Sequence, residues 1–373
     1  MISRPGIRIH VSGDEYSEVL QAPRLSDAAE VLKDFGELYL VYDEAVASFA
    51  ADLAGVVKFR STVALEVSEE AKSMETVLRI CSTLMSAEAS REAVLVALGG
   101  GTVSDIAGFA AAIYKRGIRT VNIPTTLLAQ VDAAIGGKSG VNFQGYKNIL
   151  GAIRQPLYTI LSPEPLTTLP RRQYLAGVAE LIKTIIVNNE PAVTVQNLRF
   201  AHPTIRNAHD PCPFTWPRAA MGFAQSQPVL PESLIVAAAK VKAGIVERDP
   251  FEAGERRVLN LGHTFAHAIE HEAAVRGDDI LHGEAVAMGI VLAGRLSDRL
   301  GESSGMEEML SKMLREAGLE VECPYTTHNL VDAMRQDKKA VGESVSFVLP
   351  KAIGDVIVKP VLLDDVRRLL SSD

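Results

Sequence analysis

The chain has 373 residues, 47% of them hydrophobic, and a net charge of -8. That length suggests two domains, and the acidic balance without a basic stripe excludes a typical nucleic-acid binder. No apolar run approaches the ~18 residues that span a bilayer, the first residues lack a secretory pattern, and Cys81, Cys212 and Cys323 lie far apart; a reducing cytoplasm and no membrane partner are expected.

In chain order, Glu37–Asp43 reads as a buried strand ending on an acid. Ala93–Leu98 is a second strand, running into Gly99-Gly100-Gly101 and a helix predicted to begin near Ser104. Thr120–Ile123 and Tyr158–Leu161 are further strands. Strands alternating with helical stretches argue for a parallel sheet covered by helices. After about Leu169 helical periodicities take over, at Tyr174–Val187, Glu232–Val246, Thr264–Glu272, Glu284–Leu300, Glu307–Ala317 and Leu330–Lys338. Phe200–Pro231, rich in Pro, His and Asn, reads as a long loop. Val345–Leu349 and Asp355–Val358 read as a hairpin, and Leu362–Leu370 as a last helix. The expected fold class is α/β: a Rossmann-like, nucleotide-type domain over 1–169 followed by a mostly helical domain over 170–373.

Three constellations carry chemistry. The first is the glycine run, which follows a strand and precedes a helix. There the backbone can approach a phosphate, and the helix N-terminus favours negative charge. Asp43, at a neighbouring strand end, is placed either to bind a ribose or to cap a helix. The second is a cluster of metal-ligand residue types. Glu180 lies on a predicted helix with Lys183 on the same face. His263 and His267 are four apart on another helix, and His282 opens a third. A carboxylate and two or three imidazoles from different helices make a catalytic-zinc ligand set. Spacing alone leaves open which two histidines bind. Of the eight histidines, His202, His209, His271 and His328 read as surface or loop residues, and His10 lies in an N-terminal strand. The third is a set of cations beside glycines or at element ends: Arg116, Lys138, Lys147, Lys183, Lys242, Arg256 and Lys338. Such donors suit a phosphate and a carboxylate.

The stretch GGGTVSDIAGFAAAIYKRGIRTVNIPTTLLAQVDAAIGGKSGVNFQGYKNILG (Gly99–Gly151) resembles the core signature of the 3-dehydroquinate synthase family. LPRRQYLAGVAELIK (Leu169–Lys183), ERRVLNLGHTFAHAIEHE (Glu255–Glu272), HGEAVAMG (His282–Gly289) and DKK (Asp337–Lys339) match in order. The resemblance runs from about Leu38 to about Leu349. It departs from the family pattern at Ser104, Tyr146 and Gln173.

The resemblance implies NAD and zinc, with cobalt as a possible substitute, a sugar phosphate substrate and a homodimer. The implied metal ligands are Glu180, His263 and His282. The implied substrate residues are Asp132, Lys138, Asn148, Lys183, Lys242, Arg256, Asn260, His267 and Lys338, with Arg116 reaching in from a neighbouring subunit. The implied NAD contacts are Asp43, Glu69, Lys72, Gly100, Gly101, Thr102, Asp105, Thr125, Thr126, Lys147 and Thr168. The family reaction converts 3-deoxy-D-arabino-heptulosonate 7-phosphate to 3-dehydroquinate and phosphate. It proceeds by transient oxidation with NAD, phosphate elimination, reduction and aldol closure, in aromatic amino acid biosynthesis. Two rivals share the scaffold: other sugar phosphate cyclases, and metal-dependent polyol dehydrogenases of the glycerol dehydrogenase type, which do not need the cation set.

Overall fold

A computed structural model describes residues 1–12, 15–188, 230–336 and 344–371. Lys338 and most of the expected loop Phe200–Pro231 lie outside the described residues. The chain divides into two units, Met1–Pro170 with Lys242–Phe251, and Arg171–Val241 with Glu252–Asp373.

In the first unit, β1 (Ser3–Ser12) and β2 (Glu15–Gln21) pair antiparallel. Then come α1 (Ala29–Leu32), β3 (Leu38–Asp43), α2 (Ala47–Val56), β4 (Ser61–Leu65), α3 (Met74–Ser86), β5 (Val94–Gly99), α4 (Gly101–Ile113) and β6 (Arg119–Pro124). β7 (Lys138–Phe143) and β8 (Tyr146–Ile153) form a separate hairpin, and β9 (Tyr158–Leu161) returns to the main sheet. The sheet has seven strands in the order β1-β2-β9-β6-β5-β3-β4, parallel except for β1. β3 and β5 are continuous apolar runs because both of their faces are covered. Strand periodicity sorts their side chains. Tyr39, Val41, Leu95 and Ala97 pack with Ile80 of α3 and Ile106 of α4. Leu38, Leu40, Val94, Val96 and Leu98 pack on the other side with Leu32 and Leu53.

Between β3 and β5 the winding reverses, since β4 lies on one side of β3 and β5 on the other. Ligands of open α/β sheets bind outside the carboxyl ends of strands at such a point. Asp43 and Gly99 end the two strands there.

The second unit contains α5 (Arg171–Val187), α6 (Glu232–Arg248, grouping with the first unit from Lys242), α7 (His263–Arg276) and α8 (His282–Arg299). α9 (Met306–Glu316) and α10 (Thr327–Gln336) follow. The antiparallel hairpin of β10 (Ser344–Ala352) and β11 (Asp355–Leu362) and the helix α11 (Leu363–Leu370) come last. α8 is buried along most of its length and packs on α5, α7 and α9. Two glycines let it approach closely. A Cβ at Gly283 would stand 2.1 Å from the Ala176 carbonyl oxygen of α5, and one at Gly289 would stand 2.2 Å from the Gly262 carbonyl oxygen before α7. Among the described residues, no helix is long and apolar enough to cross a membrane.

The glycine-loop helix starts at Gly101, not near Ser104: Gly100 is the cap residue, and the Ser104 amide already bonds the Gly100 carbonyl at 3.2 Å. The β7–β8 hairpin also departs from the sequence expectation, which places no strand between Ile123 and Tyr158. Its turn residues Gln144 and Gly145 have φ of 50° and 83°. Glutamine at the first of two left-handed positions hides the usual Asn-Gly signal.

Gly289→Ala should destabilise the helical unit by about 1–3 kcal/mol, because overpacking a backbone contact outweighs the helix propensity gained. Thermal unfolding followed by circular dichroism reads this as a lowered midpoint.

Candidate metal centre and nucleotide crevice

In the helical unit, Glu180 lies near the middle of α5, fully buried, with Lys183 one turn on and 1% exposed. The Lys183 ammonium stands 2.5 Å from Glu180 Oε2. His263 is the first residue of α7 and His282 the first of α8. Their Nε2 atoms lie 3.7 and 3.4 Å from Glu180 Oε1, and the rings meet edge-on with centroids 5.3 Å apart. The three residues offer ligand atoms all within 4.8 Å of one another.

The arrangement fits a divalent ion. Donor atoms held ~2.1 Å from a tetrahedral ion stand about 3.4 Å apart, close to the spacing found. Glu180 is fully buried with one ammonium against Oε2, while Oε1 faces the two Nε2 atoms and is left as a donor toward an ion. Each imidazole is anchored through its other nitrogen. His263 Nδ1 lies 3.2 Å from the Leu261 carbonyl, which can only accept, so Nδ1 carries the proton and Nε2 presents its lone pair. His282 Nδ1 lies 3.5 Å from Glu270 Oε2.

The electrostatics agree. Burial pushes the His263 imidazole down to about 3, helped by the Lys183 charge. Burial alone would lower His282 too, but the Glu180 and Glu270 carboxylates outweigh it and push His282 up to about 10. Burial would raise Glu180, yet Lys183 and the two histidines hold it well below the ordinary carboxylate range.

His267, one turn after His263 with its ring centroid 5.9 Å away, is exposed and is not one of the three clustered donors. Arg256 is 2% exposed on a short 3-10 helix, Glu255–Asn260, and Asn260 at its end donates to Glu252 Oε1 at 2.5 Å. Glu270 joins the site beside His282 without a sequence signal of its own. It follows His263 and His267 at the next helical repeat, a face that only the ring contact makes meaningful.

In the sheet unit, Asp43 accepts from the Ala45 amide at 2.9 Å, so it caps the following turn. A Cβ at Gly99 would lie 3.3 Å from Asp43 Cβ, and one at Gly100 3.1 Å from Thr126 Cγ2. The Thr125 amide bonds Gly99 at 2.9 Å. Asp43, Gly100, Gly101, Thr102, Thr125 and Thr126 therefore converge at the reversal of the sheet, with the α4 N-terminus opening among them. Lys72 Nζ donates to Asp105 Oδ2 at 2.6 Å; burial raises the Asp105 carboxyl despite that ammonium. Lys242, buried on α6, donates to the Asp132 carbonyl oxygen at 2.7 Å and to its carboxylate.

No local sequence signal marks Asn142. It donates to Glu69 Oε1 at 2.6 Å and accepts from the Asn148 amide at 2.9 Å, tying two expected site residues together. Asn148 sits at φ 52° within β8. Lys138, Lys147 and Thr168 are exposed. Arg116 is exposed in a turn where Lys115, Arg116 and Gly117 have φ of 48°, 65° and 119°.

The sequence profile of the 3-dehydroquinate synthase N-terminal region matches residues 62–176, and that of the 3-dehydroquinate synthase C-terminal region matches 177–340. The chain belongs to the 3-dehydroquinate synthase family. It is 36% identical to the 3-dehydroquinate synthase of Cereibacter sphaeroides over 98% of this chain and 93% of that one. It is 39% identical to that of Pyrococcus abyssi over 79% of each. Among solved structures, the 2-epi-5-epi-valiolone synthase of Streptomyces hygroscopicus subsp. jinggangensis, with NAD+ and Zn2+ bound, aligns with TM-score 0.78 and 27% identity over 98% of both chains. A 2-deoxy-scyllo-inosose synthase complexed with carbaglucose-6-phosphate, NAD+ and Co2+ aligns with TM-score 0.79 and 22% identity over 97% and 98%. A probable glycerol dehydrogenase from Sinorhizobium meliloti shares the fold at TM-score 0.59 and 15% identity over 94% of both chains. Relatives named for the dehydroquinate reaction at 36% and 39% identity favour the dehydroquinate reading over the dehydrogenase one, for which only the fold is shared.

Metal-free protein should bind one zinc ion per chain, and Glu180→Gln or His263→Ala should lose it, read by elemental analysis after dialysis. A raised His282 keeps its proton through neutral pH in the metal-free state and loses it only as pH rises through about 10. Zinc must displace it, so uptake should tighten from pH 6 to pH 8 and release protons, read by calorimetry in buffers of different ionisation enthalpy.

Proposed function

We propose that the chain converts 3-deoxy-D-arabino-heptulosonate 7-phosphate to 3-dehydroquinate and phosphate, a carbon-oxygen lyase reaction of aromatic amino acid biosynthesis. The observation that carries this is the buried Glu180 with His263 and His282, in a chain matched along both halves by the profiles of that family. When bound, NAD supplies a reversible hydride acceptor, and zinc or cobalt supplies a Lewis acid for a substrate hydroxyl.

The chain's residues supply the rest. Glu180, His263 and His282 hold the metal. Gly100, Gly101 and Thr102 offer backbone amides and a helix N-terminus to the pyrophosphate. Asp43 takes a ribose hydroxyl. Glu69, Lys72, Asp105, Thr125, Thr126, Lys147 and Thr168 complete the nucleotide contacts. Lys138, Asn148, Lys183 and His267 bind the substrate phosphate, drawing the charge that develops on its leaving oxygen. Lys242 and Arg256 bind the substrate carboxylate and ring oxygens, with Asp132 holding the Lys242 ammonium in place. Asn260 and Lys338 bind substrate oxygens. A second copy of the chain supplies Arg116, which makes the active form a homodimer, working in the cytoplasm.

Purified protein with zinc and catalytic NAD should release phosphate and form 3-dehydroquinate one for one, without accumulating NADH. Net NADH, or no product from folded protein holding metal and NAD, contradicts the proposal. Lys138→Ala should lower turnover by about 100-fold or more with zinc content unchanged, since one preorganised charge on a leaving oxyanion is worth that much; near-normal turnover would remove Lys138 from its role.

A further inference from the structure

We propose that Arg172 is a positioning residue of the metal centre, pinning the start of α8 along α5 so that His282 meets Glu180. This rests on the reading of Glu180, His263 and His282 as the metal ligands.

Arg172, Ala176 and Glu180 recur at four-residue intervals and so share one face of α5. Three consecutive residues of α8 meet that face in reverse order. Glu284 takes Arg172 Nε at 2.6 Å and Nη2 at 2.7 Å on its two carboxylate oxygens. Gly283 lies against the Ala176 backbone, with no room for a Cβ. His282 Nε2 lies 3.4 Å from Glu180 Oε1.

The same guanidinium holds the other side of His282. Nη1 donates to Asp279 Oδ2 and Nη2 to the Asp279 carbonyl, both at 2.5 Å. Glu284 Oε2 also accepts from the Leu281 amide at 2.9 Å, closing the first turn of α8 on itself. His282 is therefore bracketed at 279 and at 284 by one cation on the helix that carries Glu180.

The need for such a clamp is physical. His282 is the first residue of its helix, where amides lack intrahelical partners and ends fray. Gly283 permits the close approach but fixes no register along α5. A slip of one residue would move the imidazole by ~1.5 Å, enough to spoil a ligand geometry. A planar, forked guanidinium bound through two nitrogens resists that slip, whereas a point charge would not.

The test measures zinc dissociation constants by chelator competition for the parent, Arg172→Gln, Glu284→Gln and His282→Ala. It adds visible spectra of the cobalt-saturated proteins and the melting of the metal-free forms. Arg172→Gln and Glu284→Gln, which break the same fork from opposite sides, should each weaken zinc by about 10- to 100-fold, the usual scale for supports behind a ligand. Their cobalt bands should shift at saturation, and His282→Ala should lose tight zinc binding. The proposal is overturned if both fork variants fold, stay within about twofold of the parent and keep its cobalt spectrum while His282→Ala has lost zinc. A lowered metal-free melting point with an unchanged cobalt spectrum overturns it too, because the fork would then be only structural. If His282→Ala keeps tight zinc, the ligand set itself is wrong and the inference goes with it.

Discussion

Glu180 has no exposed surface, and an ionised carboxylate in that position costs several kcal/mol unless positive charge is brought to it. Much of the helical unit answers that cost. Lys183 stands one turn away on the same helix, and two imidazoles arrive from the first residues of α7 and α8. Such close arrival requires helices that touch through their backbones, which is what Gly283 and Gly289 allow. The lysine and the carboxylate do not cancel to an inert pair, because the lysine meets Oε2 while Oε1 faces the two Nε2 atoms. That residual donor capacity is what an ion would use.

The sheet unit solves a related problem with buried ion pairs. Lys72 meets Asp105 and Lys242 meets Asp132, each pair largely out of solvent. A buried pair is weak evidence for stability and better evidence that both partners are held in one geometry. Asp132 lies in a turn closed by an i→i+5 bond, the Ala134 amide to the Ala129 carbonyl at 3.0 Å. Gln130 braces that turn from the buried side, donating to the Pro124 and Ser162 carbonyls at 3.0 and 2.6 Å. Ala134 is held in turn by Asn122 and Thr159. Turns of this wide-bonded kind are rare and occur often at functional sites.

The legible part of the sequence was the part governed by local periodicity and by chemistry-bearing residue types. β3, β5, β6 and β9 were plain as short apolar runs, and the long helices from Arg171 onward as 3.6-residue patterns. Glu180, His263, His267 and His282 stood out as metal-ligand types, although spacing could not say which two of the histidines bind; the structure groups His263 and His282 with Glu180, because α8 starts against α5 and His267 is exposed. β7 and β8 were hidden because their glycines and lysines resemble a phosphate loop. Gly140 and Gly151 face each other across the hairpin so closely that a Cβ on Gly151 would stand 2.3 Å from the Ser139 carbonyl. Supporting residues such as Glu270, Asn142 and Arg172 were invisible for a different reason. Each acts through a partner more than five residues away in sequence, and no local pattern marks such a pairing.

If Glu180, His263 and His282 together hold one divalent ion, the ion itself can be located. The direct measurement is anomalous X-ray diffraction at the zinc edge from crystals of the zinc-loaded protein. A single strong peak should stand about 2.0–2.2 Å from a Glu180 oxygen and from Nε2 of both histidines. Zinc held elsewhere, or by a set that omits any of the three, would contradict it.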